Sequence, residues 1–432
     1  MKMLKINGVA EAAPLKAGSL IASHDEALKL ILAAETASDF TSIVRDELPA
    51  IVSHWLQSPE DPPILLDQSY AEKWINILRT HCHLKSENPA SGTKRTPSSP
   101  KPVHIDFSSI PFPPQIKPKF TFIDLFAGIG GFRIALERLG GKCVFSSEWD
   151  KHAKETYYQN YGEVPFGDIT NFSDKDFLAT EVNVIAGGFP CQPFSKAGVS
   201  ARESLGQNHG FSCETQGQLF FDLVKIAKRL KPDILLLENV GNLLRHDGGN
   251  TFGVIKKTIE EDLNYNFQSK IYNANTLVPQ SRIRCIIVAN RKDLKRKIQL
   301  PDLSGNPLPL RSILQDVEWN SKYTISEALW QGHIRRSQRN VDRGAGFTAY
   351  PKDLDKPSTT LVARYYKDGK ECLIPQPNHP KQTPRMLTER ECARLQGFPE
   401  QFKHHPSRNG SYKQFGNAVP VPLIETVAKA VM

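Results

Sequence analysis

The chain reads as an α/β protein with a mainly helical N-terminal extension, and three observations carry that reading. From residue 120 onward, short apolar runs alternate with amphipathic stretches, the rhythm of a mainly parallel sheet covered on both faces by helices. Residues 20–57 and 66–85 instead carry helix-like apolar spacing, with Leu28, Leu30, Ile31 and Leu32 in one stretch and Trp74, Ile75, Ile77 and Leu78 in the other. Residues 86–118 are rich in Pro, Ser and Lys, the composition of an exposed linker between the two.

In chain order, strands are expected over 120–125, 143–147, 182–186, 233–238 and 283–289. Helices are expected over 130–139, 150–158, 217–230 and 251–263, and two more over 388–396 and 421–431 close the chain. Residues 291–384 break the rhythm with turn signals, scattered aromatics and many Arg and Lys.

Composition bounds the class. The 432 residues are 39% hydrophobic, enough for a sizeable core. Mean hydropathy is −0.39, and no apolar run approaches the ~20 residues of a membrane span. The first residues are too polar for a secretory signal, so a cytoplasmic location is expected. Seven scattered cysteines without CxxC spacing argue against a disulfide framework or a zinc site, and no metal is expected. His81-Cys82-His83 reads as structural.

Net charge is +9, which admits a polyanionic partner, and its distribution is uneven. Residues 1–85 hold 8 basic and 11 acidic side chains, whereas residues 291–384 hold 17 basic and 10 acidic. A nucleic-acid groove is therefore expected late in the chain.

Four constellations carry chemistry. Phe122–Gly131 (FIDLFAGIGG) is a strand running into a glycine turn and a helix start, a form that lets backbone approach a ligand closely. A dinucleotide fingerprint would need glycine at 133, where Arg133 stands, so a diphosphate is disfavoured. Glu148 ends the second strand, placed to bind ribose hydroxyls, with Trp149 beside it for an adenine ring and Asp168-Ile169 ending an expected third strand region. Together these imply a nucleoside cofactor.

Phe189-Pro190-Cys191-Gln192 follows the apolar run Val182–Ala186 and the turn Gly187-Gly188. It presents a thiol at the carboxyl end of a strand, where open α/β sheets place their ligands. Glu238, after Leu235-Leu236-Leu237, is a carboxylate at the end of a buried strand, where desolvation would raise its pKa toward that of a neutral-pH proton donor. Gln280, Arg282 and Arg284 alternate along an extended segment and could line one surface, the two guanidiniums facing phosphates or a developing anion.

These blocks, with Glu238-Asn239-Val240, RMLTERECARLQGFP and Gly416-Asn417-Ala418-Val419-Pro420 in order, resemble the DNA (cytosine-5)-methyltransferases of bacterial restriction-modification systems over residues 119–432. The resemblance implies a Rossmann-like domain over 119–291, completed by 384–432. It also implies a smaller target-recognition domain over 292–383, while 1–85 and the linker 86–118 stand outside it. S-adenosylmethionine is the implied cofactor, contacted near Phe126, Gly128, Gly130, Glu148, Trp149, Asp168, Ile169, Pro190, Asn417 and Val419.

The implied chemistry is covalent. Cys191 attacks C6 of a flipped-out cytosine in double-stranded DNA, Glu238 protonates or hydrogen-bonds N3, Arg284 holds the intermediate, and Arg282 orders the site or contacts DNA. Gln192 and Ser195, with Arg364, Tyr365 and Lys367, would contact DNA, and residues 196–216 would form a loop that closes over the base. The stretch TTLVARYYKDGKECLI is similar to the recognition segments of enzymes acting on CC(A/T)GG-like sites. A cognate restriction endonuclease is an implied partner. A monomer is expected, with the N-terminal extension as a possible route to a dimer. A tRNA methyltransferase sharing these blocks and a catalytically silent DNA-binding regulator are the competing readings.

Overall fold

The computed structural model describes residues 20–35, 46–58, 68–86, 103–172, 181–190, 218–344 and 349–432. Eight strands are seen among them: β1 (Leu20–Ser23), β2 (Val103–Asp106), β3 (Phe120–Leu125), β4 (Gly141–Ser147), β5 (Val184–Gly187), β6 (Ile234–Val240), β7 (Tyr265–Asn273) and β8 (Ile283–Arg291). The last six form one sheet in the order β4-β3-β5-β6-β8-β7.

β4, β3, β5 and β6 are parallel, as their alternation with helices predicts, whereas β8 runs antiparallel to both β6 and β7. The parallel part needs crossover helices. These are α4 (Gly131–Arg138), α5 (Lys151–Tyr161) and α6 (Gln218–Leu230), close to their expected places. β7 escaped the sequence reading because it alternates polar and apolar residues as an edge strand does (Tyr265, Phe267 and Ile271 among Asn266, Gln268 and Lys270). At the expected third-strand site there is one bridge, Ser147 to Phe166, and then a short 3₁₀ turn over Ile169–Asn171.

The N-terminal extension is helical, with α1 (His24–Ala34), α2 (Leu48–Gln57) and α3 (Gln68–Ser86). Its apolar faces are turned inward. Ile31, Val52, Trp55 and Trp74 lie in one continuous core with Ile123, Leu125, Phe145 and Phe166 of the sheet layer. His54 packs against the rings of Phe145 and Phe166. The expected linker is shorter than its composition indicated, because Val103–Asp106 pairs in parallel with Leu20–Ser23. Val103 and Ile110, which the surrounding prolines obscured, are buried.

α7 (Asn250–Lys257) buries Ile255 in the same core as the extension, and on the other face helices α8 (Glu327–Asp342), α9 (Glu389–Leu395), α10 (Arg408–Asn417) and α11 (Val421–Val431) complete the described helices. α11 returns to the sheet and packs beside α4, its Val421, Leu423, Ile424 and Val427 fully buried. α8 and α10 were not anticipated. Residues 292–383 are mostly irregular, joined by single bridges such as Pro351–Leu373 and Ile374–Arg385. They share the core of the catalytic half through Leu310, Leu361, Tyr365, Leu373 and Ile374.

Candidate active site

The carboxyl ends of β3, β4, β5 and β6 open onto one cavity of about 1100 Å³. Phe126, Gly128, Glu148, Trp149, Asp168, Ile169, Pro190, Asn417 and Val419 all line it, and so do Glu238, Arg282 and Arg284. Residues far apart in sequence thus converge on one cavity.

Each cofactor candidate has a local reason for its position. Phe126 takes a left-handed backbone (φ 59°), an uncommon conformation for a bulky residue that turns the chain out of β3. A Cβ added at Gly128 would meet only open space, so its backbone faces the cavity. Gly128 N donates to Glu148 Oε2 and Asp150 N to Glu148 Oε1, both at 2.8 Å. These two bonds fix the carboxylate while leaving a lone pair on each oxygen. Burial pushes the Glu148 carboxyl up, and the two N–H donors work against it. Trp149 is 80% exposed, so its ring face is free to stack.

Gly130 departs from expectation. It is absent from the cavity lining, and a Cβ there would collide with the Tyr161 ring instead. Its left-handed φ of 82° serves the helix start and the close approach of Tyr161, whose hydroxyl donates to Gly130 O at 2.9 Å.

The catalytic candidates divide. Arg284 Nε lies 2.5 Å from Glu238 Oε1, so the carboxylate is ion-paired rather than isolated at the strand end. The other oxygen, Oε2, approaches Gly188. Asn239 Nδ2 donates to Phe189 O at 2.9 Å, which ties the strand bearing Glu238 to the turn that leads to Pro190. Cys191, Gln192, Ser195 and the expected loop 196–216 lie outside the described residues. Cys82, Cys143, Cys285, Cys372 and Cys392 are all buried. Burial pushes the Cys285 and Cys372 thiols up to about 12, and Cys143 and Cys392 well above their ordinary value. None of these four offers a ready thiolate.

Gln280 does not share the surface that Arg282 and Arg284 both line. Gln280 and Arg282 are fully buried. Gln280 bonds Leu395 O and Leu361 N. Arg282 donates to the carbonyls of Leu361, Gly416 and Ala418 at 2.7–3.0 Å. Burial, with Arg284 nearby, pulls the Arg282 guanidinium down to about 9. Only the ordering role fits this position, and DNA contact does not.

Among the DNA-contact candidates, Arg364 and Lys367 are exposed in the 3₁₀ turn Ala363–Lys367, but Tyr365 is not. Tyr365 is fully buried, with its hydroxyl donating to Cys372 O and accepting from Leu387 N. Tyr366 is the exposed aromatic. One residue of register decides between them, and composition could not. Arg335, Arg336 and Arg339 add exposed cations on α8. Sequence reasoning also missed Thr360, Leu361, Val362, Lys413 and Gln414 on the cavity wall, for which no motif signals.

One His/Glu cluster exists among the described residues, His152, Glu155 and His405. Ser407 N donates to His405 Nδ1 at 3.0 Å, which leaves the proton on Nε2, facing Glu155. Nε2 lies 3.6 Å from Glu155 Oε2, and His152 Nδ1 lies 3.3 Å from the same oxygen.

The family model of the C-5 cytosine-specific DNA methylases matches residues 120–432. The chain is 43% identical over 349 residues to the Type II methyltransferase M.SsoII of Shigella sonnei, covering 79% of this chain and 87% of that one. It is 40% identical over 377 residues to the DNA-cytosine methyltransferase of Escherichia coli K12, covering 74% and 79%. Among solved structures, the S. pombe Dnmt2 methyltransferase matches with a TM-score of 0.55 at 20% identity, over 72% of this chain and 97% of that one, a likeness of fold.

Proposed function

The chain belongs to the C-5 cytosine-specific DNA methylase family, and we propose that it methylates a cytosine in double-stranded DNA through a covalent Cys191 adduct, with S-adenosylmethionine as donor. It is a DNA (cytosine-5)-methyltransferase. The observation that carries the site reading is one cavity lined at one end by Gly128, Glu148, Trp149 and Asp168 and at the other by Pro190, Glu238 and Arg284.

The residues present fit the cofactor. Glu148, with both oxygens held by backbone donors and a lone pair free on each, suits two ribose hydroxyls. The free face of Trp149 suits the adenine. When bound, S-adenosylmethionine supplies an electrophilic sulfonium methyl.

Cytosine C5 is a poor nucleophile until the ring's aromaticity is broken. The Cys191 thiolate forms a bond to C6, and Glu238 gives a proton to N3, so that electron density collects at C5. Arg284, seated on Glu238, holds that carboxyl in place and offsets the charge of the adduct. C5 takes the methyl and then gives its proton to solvent, the S–C6 bond breaks, and N3 returns its proton to Glu238, which restores the thiolate and leaves 5-methylcytosine. The base must leave the helix to reach this cavity. Arg364, Tyr366 and Lys367, with the arginines of α8, supply the DNA-facing surface. Protection of DNA from a cognate restriction endonuclease is the biological role this supports, since relatives are named Type II methyltransferases. Those names also favour DNA over RNA and an active enzyme over a silent regulator.

Bisulfite sequencing of DNA from cells expressing the chain tests the proposal. Protected cytosines at one recurring sequence, lost in Cys191→Ser, are expected; unmodified DNA with the intact chain contradicts it.

A further inference from the structure

We propose that Glu47, in the N-terminal extension, is a positioning residue for the cofactor, holding the Gly167-Asp168-Ile169 edge of the cavity in place. The inference rests on the cofactor reading of that cavity given above. Glu47 lies well before residue 120, where the family model begins.

Both Glu47 carboxylate oxygens accept from Gly167 N at 3.0 Å, a forked bond to the residue immediately before Asp168. Gly167, Asp168 and Ile169 all line the cavity. A Cβ at Gly167 would collide with Glu47 Oε1, so the glycine leaves room for the carboxylate. From the other side, Ser147 Oγ donates to Gly167 O at 2.7 Å, and the loop is clamped between β4 and the extension. Asp168 in turn accepts from Thr170 N, so its carboxylate follows wherever Gly167 is placed.

A second path joins the extension to the opposite wall. Gln57 Nε2 donates to Tyr161 O at 2.7 Å, and Gln57 Oε1 accepts from Arg133 at 3.2 Å. His54 and Arg133 both pair with the buried Glu163, at 3.1 and 2.9 Å. Tyr161 closes the path on the carbonyls of Ile129 and Gly130, within the glycine turn. The extension thus grips both loops that flank the cofactor end, and Glu47 is the contact nearest to a cofactor-lining carboxylate.

The test titrates full-length protein with S-adenosylhomocysteine, the non-reacting product, and measures kcat at saturating S-adenosylmethionine. Glu47→Ala is expected to weaken binding about 10-fold, the worth of one charge-assisted hydrogen bond, while kcat at saturation holds. Glu47→Gln keeps an acceptor oxygen and is expected to recover most of the affinity. Gly167→Ala is expected to weaken binding alone but to add little on top of Glu47→Ala, because the two share one contact. Wild-type affinity in Glu47→Ala overturns the inference, as does equal weakening in the Ala and Gln variants, which marks a packing role only. Failure of the wild-type protein to bind S-adenosylhomocysteine at all sinks the cofactor reading itself.

Discussion

Arg284 and Glu238 face each other across neighbouring antiparallel strands, with Arg284 Nε 2.5 Å from Glu238 Oε1. The register explains the meeting. Val240 sits opposite Arg284, and Glu238, two residues earlier, shares its face of the sheet, so the pair is a diagonal neighbour contact. The reversal of β8 relative to β6 therefore brings an arginine to the carboxylate proposed to serve N3 of the base.

This predicts unequal roles within the pair. Glu238→Gln keeps size and loses the proton, so kcat should fall about 10²–10⁴-fold with cofactor affinity retained. Arg284→Ala should lower kcat too, and should disturb Glu238 because it leaves a part-buried carboxylate unpaired. Single-turnover methyl transfer with saturating DNA reads both.

Arg282 should behave differently. Its guanidinium supports the carbonyls of Leu361, Gly416 and Ala418 from a fully buried position. Arg282→Ala leaves three acceptors without a donor, at roughly 1–3 kcal/mol for each that water cannot reach. Thermal melting should show a large loss of stability, with DNA salt dependence in the surviving fraction unchanged.

The DNA contact expected of Tyr365 should fall to its exposed neighbour Tyr366. Tyr366→Ala should weaken DNA binding and leave the melting temperature near wild type, while Tyr365→Ala should destabilise the core. Lys367→Ala should reduce the salt slope of DNA affinity by about one unit if it meets a phosphate. Fluorescence anisotropy across a salt series separates the three.

The buried ion network of the extension makes a pH prediction. Arg133 and His54 offset the burial of Glu163 and hold its carboxyl at about 2, below its ordinary value. A depressed acid stabilises the fold above the unfolded pKa, and that contribution fades as pH falls from about 4.5 toward 2. Glu163→Gln should cost roughly 3 kcal/mol at neutral pH and flatten this acid limb in denaturant titrations.

Much of this was legible in the sequence. The glycine turn, Glu148-Trp149 and Pro190 follow strand ends, which apolar runs mark clearly, whereas Asp168 opens a 3₁₀ turn. The alternation could not reveal the antiparallel β8, because a buried strand of either direction carries the same apolar pattern. Gly130, Gln280 and Tyr365 were misplaced for a related reason. Each belongs to a motif, but which way it faces depends on long-range packing, against Tyr161, Leu361 and Cys372 respectively. The tie between Glu47 and Gly167 spans 120 positions and has no local signature.

The central claim is that Cys191 bonds to cytosine C6 while Glu238 serves the same ring. Duplex DNA carrying 5-fluorocytosine at the methylated position tests it most directly, because the fluorine cannot leave as the C5 proton does and the adduct is trapped. Incubation with S-adenosylmethionine followed by peptide mapping should place one DNA-linked residue at Cys191, with the adduct lost in Cys191→Ser. No trapped complex from an active preparation, or a link at any other cysteine, would contradict the account.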